Sequence, residues 1–150
     1  MTGLLRRIYR ENFWPPAKRI LVDRLEGDST IDAGIAIEQA SPLAGIIELS
    51  EWLKRERIVH ARVSRTTIDL GTTEILREQQ MAATDFDQAI AQLNQVTKMD
   101  VQQQTKLLKD GANYFVAWGD RAVVKTLSLS NPIEGSMLSS LMERLSVRVS

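Results

Sequence analysis

The chain has no cysteine and a single histidine, His60. The missing thiols exclude a cysteine nucleophile and any disulfide, and the two scarcities together exclude a His/Cys zinc cluster. A Ser-His-Asp arrangement could be assembled only around His60. The glycines are scattered singly, so neither G-x-G-x-x-G nor G-x-x-x-x-G-K occurs and nucleotide-dependent catalysis is not expected. No apolar run exceeds the five residues of Tyr114–Trp118, far below the roughly 20 that a membrane-spanning helix needs. Arginines near the start are followed by no apolar stretch, so a secretory leader is not expected. No cofactor, metal or small-molecule substrate is expected.

What is present suits a single α+β domain over residues 1–150, with residues 1–14 as a protruding amphipathic arm. Hydrophobic residues make up 43% and charged residues 25%, too apolar and too balanced for disorder. Net charge is zero, but it is distributed in blocks. Arg6, Arg7, Arg10, Lys18 and Arg19 outweigh Glu11. Asp23, Glu26, Asp28, Asp32, Glu38, Glu48 and Glu51 then outweigh Arg24. Lys54, Arg55, Arg57, Arg62 and Arg65 outweigh Glu56. The simplest reading is that these blocks neutralise one another on the surface of one domain; the alternative is contact between copies or with a charged partner.

Periodicity gives the elements. Leu4, Leu5 and Ile8 form the apolar side of a basic N-terminal helix that Pro15-Pro16 ends. Pro16 suits the start of a second helix over Ala17–Leu25, with Gly27 as its stop. Residues 31–37 alternate like a strand, weakened by Gly34. Ser41-Pro42 reads as a helix start, with Leu43, Ile46, Leu49, Ser50 and Leu53 inward as far as Arg57 and with Glu51 and Arg55 paired. From Ile58 the period is two: Val59, Ala61 and Val63 oppose His60, Arg62 and Ser64. Ile68 and Leu70 have the opposite phase, which predicts a bulge or turn between Ser64 and Thr67. Thr72 to Asp110 reads as a long glutamine-rich helical region, with internal caps at Thr84 and Asp100 that allow two or three helices rather than one. Tyr114–Leu129 reads as a C-terminal hairpin with a two-residue turn at Gly119-Asp120. Met137, Leu138, Leu141 and Leu145 build a closing helix. The expected architecture is N-terminal helices, a small, mostly antiparallel sheet of four or five strands, and helices at both ends.

Three function classes follow. The leading expectation is a non-enzymatic structural or assembly subunit working through protein contacts in a homo-oligomer or larger complex. A scaffold, a secretion component and a virion connector-type protein all fit, and the expected location is the cytoplasm or a virion or other large assembly. Its expected contacts are Leu4, Leu5, Ile8, Phe13 and Trp14 on the arm, with Gln92, Gln95, Gln102 and Gln103 on a neutral amide face that loses little on desolvation. The second class is a nucleic-acid-associated factor using Arg6, Arg7, Arg10, Lys18, Arg19, Lys54, Arg55, Arg57, Arg62 and Arg65. The third is a carboxylate- or metal-dependent enzyme around Asp69, Glu74 and Glu78, the last two an i,i+4 pair on a helix.

Overall fold

A computed structural model describes residues 14–41, 45–67, 70–106 and 113–146. Along them run α1 (Pro16–Gly27), β1 (Ala33–Ser41), β2 (Ile46–Arg55), β3 (Ile58–Thr67), β4 (Thr72–Ala82), α2 (Ala83–Gln95), α3 (Lys98–Gln103), β5 (Asn113–Gly119), β6 (Val124–Ser130) and α4 (Met137–Leu145). The six strands form one antiparallel sheet in the order β4-β3-β2-β1-β5-β6. The class is therefore α+β, with four described helices and more strands than the periodicity counted.

Each sheet face has its own core, because successive residues of a strand point to opposite sides. On one face Ile35, Ile37, Trp52, Val59, Ala61, Val63 and Val116 meet Phe86, Ala89 and Leu93 of α2 and Leu141, Met142 and Leu145 of α4. On the other, Ala36, Leu49 and Ala117 meet Ala17, Leu21 and Leu25 of α1, which recur at i,i+4. Burying each leucine contributes about 1.5–3 kcal/mol. Gly34 allows the helix its close approach: a Cβ there would lie 2.5 Å from Leu21 Cδ1. At the other end of α1, the buried Glu38 of β1 accepts a hydrogen bond from the Ala17 N–H at 3.3 Å. It occupies the helix N-terminus, where free amides favour an acceptor.

Several expectations are overturned. Residues 46–55 are a strand, not a helix. Helical spacing of Ile46, Leu49 and Leu53 is real, but β1 and β3 flank the segment along its whole length and both its faces carry buried residues. Tertiary pairing thus overrides the local pattern. Glu51 and Arg55 consequently do not pair with each other. Residues 72–82 are likewise a strand, whose glutamate, arginine and glutamine content suits a largely exposed sheet edge as well as a helix. The helical region that remains is split into α2 and α3 at Val96-Thr97. Its caps are also displaced. α2 begins after Ala82 without a side-chain cap, whereas α3 is capped by Thr97, whose hydroxyl and Asp100 form a reciprocal capping box.

The bulge falls at Val63/Ser64 in the β3–β4 pairing; Ile68 and Asp69 lie outside the described residues, and Leu70 sits in an exposed turn. The chain turns between β5 and β6 over Asp120–Val123, not over Gly119-Asp120. There the Asp120 carboxylate accepts from the amides of Ala122 and Val123. Gly119 has φ +145°, and a Cβ there would lie 2.1 Å from the Val123 carbonyl oxygen, so the position requires glycine.

Candidate functional site: a charged groove beside α1

Helix α1 packs on β1, β5 and β6, and among the described residues most of β3 and β4 is left uncovered on its side of the sheet. Between the C-terminal half of the helix and the open strands runs a groove of about 490 Å³. Asp23, Arg24, Gly27 and Asp28 form one wall. Glu51, Leu53 and Arg55 of β2, His60 and Arg62 of β3, and Glu78 of β4 form the floor.

Strand register explains why these side chains meet. Glu51 lies opposite Arg62, and Arg62 opposite Glu78, and paired residues share a face. Arg24 reaches Glu51 from the helix at 3.1 Å, and Arg62 bonds Glu78 at 2.9 Å. The groove therefore carries a row of alternating sign from wall to floor, Arg24–Glu51–Arg62–Glu78. Beside it lies the row Leu53–His60–Gln80. Beyond that, Arg55 bonds Asp28, the residue that closes α1, at 3.0 Å.

The carboxyl of Asp28 is held down at about 2, first by the Thr30 hydroxyl, then by Arg55 and by the Thr30 amide. Glu38, at the far end of the helix, is shifted the other way. Burial raises its pKa, against the opposing pull of the Ala17 amide and the Arg19 charge.

Two of the three blocks of charge, the acidic one and the basic one that follows it, thus form ion pairs within one chain. Arg24–Glu51 joins the helix to β2, Arg55–Asp28 joins β2 back to the helix, and Arg65–Glu48 (2.9 Å) spans β3 and β2. The expected nucleic-acid cluster is dispersed. Arg55 and Arg62 face the groove. Lys54 lies on the opposite face of the sheet, bonded to Asp87 of α2 at 3.0 Å and 5.8 Å from the Phe86 ring centroid. Arg65 also lies on that face, opposite Glu48. Arg57 is exposed in the β2–β3 turn, and Lys18 and Arg19 belong to α1. Arg6, Arg7 and Arg10 lie outside the described residues.

Of the expected arm contacts, Leu4, Leu5, Ile8 and Phe13 also lie outside the described residues. Trp14 is half-buried beneath the Lys18 ammonium, 4.1 Å from its ring centroid. Gln92, Gln95, Gln102 and Gln103 are all exposed but belong to two helices, so they do not form one continuous helix face. Gln104 serves the fold instead, because its Oε1 accepts from the Leu138 amide at 3.0 Å and so caps α4.

Glu74 and Glu78 stand on a strand, each opposite an arginine (Arg65 and Arg62), and Asp69 lies outside the described residues. Among the described residues no group of three or more His, Asp or Glu side chains is arranged to hold a metal ion, and no described helix is long and apolar enough to cross a membrane.

Sequence reasoning placed His60 and Arg62 together on the polar side of β3 but missed Arg24, Glu51 and Asp28 as their neighbours. The alternating charge blocks were the available signal. No protein-family model matches the chain, and no curated protein and no solved structure matches it.

Proposed function

We propose that this protein is a non-catalytic assembly subunit whose open half-sheet receives a partner protein. The observation that carries this reading is the incomplete cover that the described residues give the sheet on the α1 side. An antiparallel sheet commonly leaves one face to water, but here the open face adjoins a groove whose polar floor is already ordered by ion pairs. Arg24, Glu51, Arg62 and Glu78 hold one another in place, so a partner meets a preorganised row of donors and acceptors rather than free side chains. Such a surface gives specificity through charge register more than through apolar area. The exposed amides of Gln92, Gln95, Gln102 and Gln103 are secondary candidate contacts on the opposite side.

A photo-crosslinking residue placed at His60, on the groove floor, tests this in the native source. The expected result is one discrete adduct that is absent when the same residue replaces the exposed Glu143 of α4. Equal adducts from both positions, or none from His60, would overturn the reading.

A further inference from the structure

The two edges of the sheet differ. β4 carries the features by which edge strands avoid pairing with other chains: its register with β3 is broken at Val63/Ser64, and it displays Glu74, Arg77 and Glu78. β6 has none of them beyond one lysine. It pairs with β5 at seven consecutive positions without a bulge, contains no proline, and includes Lys125 as its sole charge. The Lys125 ammonium is turned back to Asn94 Oδ1 at 3.1 Å. Among the described residues no strand pairs with the outer side of β6.

We propose that β6 is the edge through which two copies of this chain pair, antiparallel about a two-fold axis, joining their sheets. This rests on reading the protein as an assembly subunit and names the surface for self-association. The β6 sequence is self-complementary in the register centred on Leu127. Leu127 then faces its own copy, and Lys125 faces Leu129 of the second copy, so no like charges are opposed. Thr126 faces Ser128 of the second copy, a hydroxyl pair of the kind that stabilises neighbouring strands. Both hydroxyl residues are exposed in the single chain, and a two-fold axis makes each contact occur twice.

The test is the mass of the full chain by light scattering, over a range of concentrations, for three proteins. The wild type should give twice the 16.9 kDa of one chain. Thr126→Lys with Ser128→Lys opposes lysines across the axis and should give the single-chain mass with unchanged circular dichroism and a melting temperature that no longer rises with protein concentration. Thr126→Lys with Ser128→Glu opposes unlike charges and should restore the doubled mass. A wild type of single-chain mass at the highest concentration overturns the proposal while leaving the His60 crosslink to judge the assembly reading. A doubled mass that survives the double-lysine change also overturns it, and assigns self-association to another surface.

Discussion

Arg24 of α1 sets its Nε 3.1 Å from the Glu51 carboxylate of β2. Glu51 is only 5% exposed, whereas the arginine is about half exposed, so the contact gives a buried acid its countercharge while remaining open to water. Arg24→Ala should therefore destabilise the fold by about 1–2 kcal/mol, the cost of stranding a buried acceptor, discounted for solvent access. Adding Glu51→Gln should recover at least half of that loss. Urea unfolding of the three variants measures both, and a double variant no more stable than Arg24→Ala would show that the pair is not coupled.

Asp28 makes stability fall in acid. Its carboxyl ionises at about 2 in the fold against an ordinary 3.8, so the folded state favours the charged form. The resulting stabilisation is complete above the ordinary value and disappears as pH falls toward 2. Asp28→Asn should flatten the stability profile between pH 4 and 2 and leave its slope above pH 5 unchanged. Thermal melts across that range check this.

Glu38 acts with the opposite sign. Burial raises its pKa above the ordinary 4.5, so the folded state binds its proton more tightly than the unfolded chain does. The contribution is present below the ordinary value and is lost as pH rises through the folded one. Glu38→Gln keeps an acceptor for the Ala17 amide but cannot ionise. Its stability relative to wild type should improve as pH rises from 4 to 7. A difference independent of pH would contradict the assignment.

Gly34 sets the distance between α1 and the sheet. Gly34→Val would drive a branched side chain into Leu21 and against the Trp52 carbonyl, 3.2 Å from even a Cβ. Overpacking of this kind costs about 1–3 kcal/mol. Hydrogen exchange should locate the damage, with α1 amides losing protection while those of β3 keep theirs.

The α+β class was legible because β3 and α1 have clean periods. Val59, Ala61 and Val63 are buried, and α1 keeps Leu21 and Leu25 on one side. β2 was not legible, because a central strand covered on both faces shows no alternation of apolar and polar residues. β4 was not, because an exposed edge strand is free to carry helix-forming side chains. The groove was legible only as a chemical tendency. Charge blocks far apart in sequence announced that they could neutralise one another. Which acid meets which base depended on strand register and on where α1 crosses the sheet, and both are set by contacts between distant residues.

The Trp52 indole N–H donates to the Leu145 carbonyl at 2.9 Å, and the Ser50 hydroxyl donates to that of Ser146 at 3.1 Å, across 93 and 96 residues of chain. β2, made early, is thus fastened to the end of α4, made late. On a ribosome the first hairpins can form as they emerge, yet the Trp52 indole lacks its acceptor until residue 145 leaves the exit tunnel. A chain stalled before Met137 would lack Leu141, Met142 and Leu145 and would leave open the part of this apolar face that α4 covers.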